Sequence, residues 1–224
     1  MKTKILAIVL AVLMFLFALT FSIALPIYVR PFYYAHIDVM RLDEISGKSK
    51  TQIIDAYDEL LDYLTGNTPY GVGVFKSSPD GQSHFEDCKV LFMLDKWLLI
   101  AVSVLLVGIL AYIKLTKQKP LRLKGYPPYF WAGVIMIVII LTVVGLASID
   151  FDYAFTVFHT IFFPGKTNWV FNPYTDEIIM VMPQEFFRNC GILIAVGIVV
   201  FCSLFIAFGI RVKNKEKQIT QNKE

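Results

Sequence analysis

Two of the three histidines in the chain stand beside residues that could take part in catalysis. His84 is followed by Asp87 and Cys88, at the three- and four-residue spacings that bring side chains onto one face of a helix. His159 lies in an aromatic stretch, with a phenylalanine four residues to either side. An imidazole titrates near neutral pH and can act as a general acid or a general base. His84 and His159 are therefore the candidate catalytic residues.

Each of these residues also has a structural interpretation. A single histidine is more often a structural or surface residue than a catalytic one, and Asp87 either orients His84 or is an acid favoured by the dipole at a helix start. Cys88 could be a nucleophile beside His84, but an inert small residue is the commoner case. A metal site needs three or four ligands, which His84, Asp87, His159 and Asp176 could supply. The sequence has no short paired spacing such as His-Glu-x-x-His, so we expect no metal and no cofactor.

The composition indicates that these residues are carried by a membrane protein. Hydrophobic residues make up 56% of the chain and charged residues 17%, and the mean hydropathy is +0.61. A helix needs about 20 apolar residues to cross the hydrocarbon core of a bilayer. Four runs without a charged residue or histidine predict an all-α membrane protein with four transmembrane helices, at 5–29, 97–113, 130–149 and 191–210. The first run is too long for the apolar region of a signal peptide, so we expect it to remain uncleaved.

The distribution of charge predicts the orientation of the spans. The segments 1–4, 114–129 and 211–224 hold twelve Lys and Arg against two Asp and Glu, whereas 30–96 holds seven against eleven and 150–190 two against five. Basic loops remain in the cytoplasm. Both termini and the loop 114–129 are therefore predicted to be cytoplasmic, and the two acidic segments to lie outside. A disulfide between Cys88 and Cys190 is possible there.

The two outer segments are expected to form a small, mainly helical cap. Residues 51–64 have the apolar spacing of an amphipathic helix, with Ser49 or Thr51 as its cap and Gly66 at its end. Ser83 and Glu86 resemble a capping box, which predicts that His84 lies in the first turn of a helix that continues into the second span. Residues 151–163 predict an aromatic helix that ends at a Pro-Gly pair. Because the spans hold no ionisable residue, chemistry is expected at the outer interface.

Two stretches resemble the lipoprotein intramolecular transacylases, a family of small bacterial membrane proteins. His84-Phe85-Glu86-Asp87-Cys88-Lys89 resembles the family motif His-x-x-Asp-Val-Lys, with Cys88 in place of Val. The stretch from Phe158 to Phe163, followed by Trp169, Pro173, Asp176, Ile178, Ile179 and Pro183, is similar to a second family signature. The resemblance covers nearly the whole chain. Residues 77–82 are richer in Gly and Ser than the charged stretch of the family.

The resemblance implies an acyltransferase of the bacterial cell membrane with an extracytoplasmic active site. Its substrate would be the diacylglyceryl-modified N-terminal cysteine of a lipoprotein, and the sn-2 acyl chain would move to the cysteine α-amine to give the lyso-form lipoprotein. One of His84 and His159 would deprotonate the amine and the other would protonate the leaving oxygen. Arg30, Lys89, Trp169 or backbone amides would stabilise the oxyanion, and Asp87 and Asp176 would support the site.

Other functions are compatible with the same topology. A membrane hydrolase or metalloprotease could use the same histidines, and a non-enzymatic scaffold or sensor could use the outer segments to bind a partner. Nothing in the sequence indicates a phosphate-binding loop, a dinucleotide site or nucleic-acid binding, so membrane lipid and a lipoprotein are the expected partners. The oligomeric state stays open.

Overall fold

The computed structural model describes residues 2–221, and within them the chain is helical with no strand. Met1 and residues 222–224, the end of the predicted cytoplasmic tail, lie outside the described residues. A 3-10 helix spans Glu177–Met180, and the eight α-helices are α1 Lys2–Tyr28, α2 Arg30–Val39, α3 Leu42–Ser46, α4 Lys50–Thr65, α5 Pro79–Thr116, α6 Pro128–Ile149, α7 Phe151–Phe162 and α8 Gln184–Gln221.

The prediction of an all-α protein with four transmembrane helices is confirmed. Within the described chain, α1, α5, α6 and α8 are long and apolar enough to cross a membrane. Each contains one of the four uncharged runs of the sequence, apart from Val29 at the end of the first run, which follows α1. Both α5 and α8 begin well before their uncharged runs. Only the part of a helix that crosses the bilayer needs to be apolar, so the charged residues before each run can belong to the same helix.

The chain divides into two compact units. One, the span unit, comprises the described residues up to Ile23, from Trp97 to Gly145 and from Ile194 onward. Its core is formed by Ala18, Met136, Ile198 and Cys202. A Cβ added to Gly133 would lie 3.1 Å from the Cys202 carbonyl oxygen, so small residues permit close packing of α6 against α8, as in many membrane helix pairs.

The other, the cap unit, consists of Ala24–Lys96 and Leu146–Leu193 and has its own hydrophobic core. The amphipathic helix predicted at 51–64 is found as α4, whose apolar face supplies much of this core. Ser49 and Gln52 form a complete capping box at its start, and Gly66 follows its last residue. The Tyr33 ring stacks on Tyr57 at 3.7 Å between centroids, and its hydroxyl donates to the Val181 carbonyl at 2.7 Å.

The predicted start of the second helix was wrong. α5 begins at Pro79, so Ser83 and Glu86 lie inside it and cannot form a capping box. Ser78 caps the helix instead: its Oγ accepts from the Gly81 N–H at 3.0 Å, and its carbonyl accepts from Gln82 at 2.9 Å. A serine followed by proline at the first helical position is the stronger start signal, because proline has no N–H that would need a partner there. His84 therefore lies in the second turn.

We expect Tyr33→Phe to lower the free energy of unfolding by about 1–3 kcal/mol, because the buried Val181 carbonyl would lose its donor. Thermal unfolding of the detergent-solubilised protein measures this as a lower Tm. Tyr153→Phe is the matched control, since Tyr153 is 69% exposed and its substitution should leave Tm nearly unchanged. Equal Tm values for the two variants would contradict the assignment.

Candidate functional site

The two candidate histidines meet in the cap unit. His84 on α5 and His159 on α7 have ring centroids 5.7 Å apart, with an angle of 34° between the ring planes. Both are buried, at 7% and 6% exposure. Polar rings are seldom buried this deeply beside one another unless they are hydrogen-bonded or functional.

His159 is held by the backbone of its own helix. Its Nδ1 lies 2.7 Å from the Phe155 carbonyl oxygen, one helical turn earlier. A carbonyl can only accept, so Nδ1 carries the hydrogen, and in the neutral ring Nε2 keeps its lone pair. The ring stacks on Trp169 at 4.5 Å between centroids. Burial lowers the pKa of His159 below its ordinary value, and the Phe155 carbonyl offsets only part of that effect.

His84 is enclosed by aromatic rings and a thiol. The Phe163 and Phe171 centroids lie 4.9 and 5.5 Å from that of His84, both edge-on. Its Nε2 lies 3.4 Å from Cys88 Sγ. Among the described residues, its buried Nδ1 has no hydrogen-bond partner, and the same is true of the buried Asn168 Oδ1. An unpaired buried polar atom costs about 1–3 kcal/mol, so each of these two atoms is a place where a water molecule or a polar group of a substrate would bind favourably.

Asp87 ties α5 to the loop that follows α7. Its carboxylate forms an ion pair with Lys166 and accepts from Asn168 Nδ2 at 3.2 Å, and the same amide contacts Ser83 Oγ at 3.4 Å. The hydrogen bonds found for Asp87 are thus to this loop rather than to His84. Asp87 thus links the helix that carries His84 to the loop that follows the helix carrying His159. No spacing in the sequence indicated Lys166 or Asn168, because a contact across about 80 residues leaves no periodic signal.

Asp176 anchors the start of α5. This buried carboxylate accepts from the Ser78 N–H at 2.7 Å and the Ser78 hydroxyl at 3.0 Å. Thr175 adds a hydroxyl at 2.9 Å, and the neighbouring Glu177 forms an ion pair with Lys76 at 2.9 Å. Asp176 therefore holds the residue that caps the helix carrying His84.

The predicted oxyanion donors are engaged elsewhere. Arg30 forms ion pairs with Asp58, at 3.1 Å, and with Asp62 on α4. The Lys89 ammonium lies 4.1 Å from the centre of the Tyr63 ring. The Trp169 indole N–H donates to the Lys166 carbonyl at 3.0 Å, so Trp169 brings only its ring face to His159.

The remaining histidine has structural contacts, and the cysteines form no disulfide. Both ring nitrogens of His36 are paired, Nδ1 with the Phe32 carbonyl at 2.6 Å and Nε2 with the Asn189 amide at 3.1 Å. Cys88, Cys190 and Cys202 are free, so the possible disulfide is not formed. No group of three or more His, Cys, Asp or Glu residues within 2–221 is arranged to hold a metal ion.

The sequence matches a known family over most of its length. The model of the lipoprotein intramolecular transacylase Lit family covers residues 8–187, which include both histidine motifs. The chain belongs to the lipoprotein intramolecular transacylase family. The family resemblance of the two motifs is thus confirmed. No curated protein matches this member of the transacylase family in sequence.

Solved structures of Lit from Bacillus cereus share the fold. One in meso structure of this membrane-integral transacylase is 22% identical, covers 97% of this chain and 98% of its own, and superposes with a TM-score of 0.84. A structure with a histidine-to-arginine mutation gives a TM-score of 0.77 at 20% identity, covering 97% and 94% of the two chains. One with a histidine-to-alanine mutation gives 0.78 at 20% identity, covering 97% and 96%.

Gly81→Ala should destabilise the site by about 1–3 kcal/mol, because the added Cβ would lie 2.2 Å from Asp176 Oδ1 and push that carboxylate away from Ser78. The control is Gly191→Ala in α8, where the added Cβ meets nothing within 4 Å. This substitution should stabilise the helix by about 0.5–1 kcal/mol. Thermal unfolding compares the two variants. A Tm for Gly81→Ala at or above that of Gly191→Ala would refute the anchoring role.

The buried His159 should make stability depend on pH. Its pKa is lower in the folded state than the unfolded value of about 6.5, so below that pH the unfolded chain binds a proton that the folded chain does not. The contribution of His159 to the free energy of unfolding should therefore fall as the pH drops through about 6.5 and level off below its folded pKa. His159→Gln should show a shallower fall in Tm between about pH 8 and about pH 5. Parallel profiles for the two proteins would exclude this effect.

Proposed function

We propose that this protein carries out intramolecular acyl transfer on bacterial lipoproteins, moving the sn-2 acyl chain of the diacylglyceryl-cysteine to the cysteine α-amine. The product is the lyso-form lipoprotein, N-acylated and with one O-acyl chain remaining. Membership of a family described as lipoprotein intramolecular transacylases supports the class of reaction. The pair of buried imidazoles 5.7 Å apart is the observation that carries the proposed chemistry.

Acid–base catalysis is what this reaction requires of a protein. The amine nitrogen attacks the ester carbonyl, a C–N bond forms, the C–O bond to the glycerol sn-2 oxygen breaks, and one proton passes from nitrogen to that oxygen. His84 and His159 together would take the proton from the amine and return one to the oxygen. The lowered pKa of His159 and the lone pair on its Nε2 suit it to accept a proton at neutral pH.

An enzyme nucleophile is not required, because the amine and the ester belong to one molecule. Holding two such groups in a reactive geometry can lower the barrier by about 7–11 kcal/mol at best. The exposed aromatic and aliphatic side chains of α7 beside His159, at Phe158, Ile161 and Phe162, would receive the acyl chain. Three residues would support the pair from outside. Asp87 links α5 to the loop after α7, Asp176 anchors the start of α5, and Trp169 stacks on one face of His159.

The site would act on the outer side of the bacterial cell membrane. The protein is a multi-pass membrane protein, and the basic residues concentrate in the segments 1–4, 114–129 and 211–224. By the positive-inside rule, both termini would be cytoplasmic and the cap unit extracytoplasmic. A lipoprotein would present its diacylglyceryl group at this interface.

Substituting either histidine tests the proposal. We expect His84→Ala and His159→Ala each to slow conversion of a diacylglyceryl lipopeptide by about 100-fold or more, since general acid–base groups contribute about 10²–10⁴-fold. His36→Gln is the control, because His36 lies in the same unit with both ring nitrogens already paired, and it should stay within a few-fold of wild type. Full conversion by either alanine variant would exclude the two-histidine mechanism.

Mass spectrometry separates the proposed reaction from its alternatives. Intramolecular transfer leaves the total mass of the lipopeptide unchanged while tandem fragmentation shows an acyl group on the α-nitrogen. A hydrolase would release one acyl chain, and a protease would shorten the peptide. Function retained by the double His84/His159 variant in cells would favour a scaffold or sensor.

A further inference from the structure

The Cys88 thiol is in direct contact with one of the two central imidazoles. Its Sγ lies 3.4 Å from His84 Nε2, and the two residues are one helical turn apart on α5. The contact is held by the helix itself, so it persists wherever α5 persists. A valine at this position, as in the family motif that the sequence resembles, would fill the space without a polar contact.

The chemistry of the two atoms favours one direction for this hydrogen bond. A thiol is both a weak donor and a weak acceptor, whereas an unprotonated imidazole nitrogen is a good acceptor, so the better pairing has the thiol donating to Nε2. In that pairing the neutral His84 ring carries its hydrogen on Nδ1. This Nδ1 is buried and has no partner among the described residues, so the protein itself leaves its N–H without an acceptor.

His159 also carries its hydrogen on Nδ1, but its unpaired nitrogen is Nε2. His159 Nδ1–H is already used by the Phe155 carbonyl, which leaves the Nε2 lone pair available. The pair thus offers one free N–H, from His84, and one free lone pair, from His159. An ester oxygen needs a donor and an attacking amine needs an acceptor, so the two rings match the two ends of the reaction.

We propose that Cys88 is a positioning residue that holds His84 in the tautomer with hydrogen on Nδ1, so that the His84 N–H faces the reacting ester oxygen while the His159 lone pair faces the attacking amine. This inference rests on the proposed transacylase function. The thiol forms no bond to the substrate, and its hydrogen remains on sulfur throughout. Without the thiol, Nε2 loses its partner and the two tautomers of His84 become closer in energy, so a smaller fraction of the enzyme presents the N–H.

The comparison of Cys88→Ser with Cys88→Val tests this role. Serine keeps a hydroxyl donor, and valine keeps the apolar character and approximate volume. We expect Cys88→Val to lower kcat about fivefold with KM unchanged, and Cys88→Ser to stay within about twofold of wild type, since one neutral hydrogen bond is at stake. A role in packing alone predicts the opposite order, so a faster Val variant would overturn the proposal.

The hydrogen position can be measured independently of activity. In ¹⁵N-histidine NMR of the detergent-solubilised protein, His84 should show a protonated Nδ1 in wild type and Cys88→Ser, and a shift toward protonated Nε2 in Cys88→Val. Hydrogen on Nε2 in the wild type would refute the positioning role whatever the rate. A wild-type protein that shows the expected tautomer but does not convert the lipopeptide would support the role of Cys88 and refute the proposed function.

Discussion

The site depends on one buried carboxylate at the start of a long helix. Asp176 accepts both the backbone N–H and the hydroxyl of Ser78, the residue that caps α5. A helix cannot begin inside a protein without partners for its first N–H groups. By satisfying the capping residue, Asp176 anchors the start of α5, one turn before the turn that carries His84. The close approach at Gly81 shows how little space this anchor leaves.

The second constraint is that the imidazoles are surrounded by rings rather than by charges. Phe163 and Phe171 pack edge-on against His84, and Trp169 stacks on His159. The charged residues nearby are paired with one another, as in Asp87 with Lys166. Such surroundings favour neutral rings, and neutral rings have distinct donor and acceptor nitrogens. Two further contacts then determine which nitrogen of each ring carries the hydrogen. They come from the Phe155 carbonyl for His159 and from the Cys88 thiol for His84.

The sequence predicted the parts of this arrangement that depend on local pattern. The four apolar helices followed from uncharged runs, since a bilayer permits few other structures for them. The helix α4 followed from its apolar spacing and caps, and α7 from its aromatic spacing and the Pro-Gly pair. That His84 and His159 meet, although they lie 75 positions apart, was suggested by their common place at the outer interface and by the resemblance to a family.

Contacts between distant segments could not be predicted in the same way. Arg30 and Lys89 were expected near the oxyanion, but α4 offers them acidic and aromatic partners that no local pattern indicates. The start of α5 was misplaced by five residues, because Ser83 and Glu86 have the spacing of a capping box while the true signal is Ser78-Pro79 together with the distant Asp176. Long-range partners of this kind add to the local signals in deciding where a helix begins.

The enclosure of the histidine pair also bears on chemical selectivity. An ester held for attack can react with any nucleophile that reaches it, and water is the commonest competitor of an amine. Two imidazoles that are more than nine-tenths buried among Phe and Trp rings leave little room for solvent at the point where the carbonyl would be attacked. In the proposed reaction, the same aromatic shell that keeps the rings neutral would suppress hydrolysis. The acyl chain would then move to the amine of the lipoprotein instead of being released as a fatty acid.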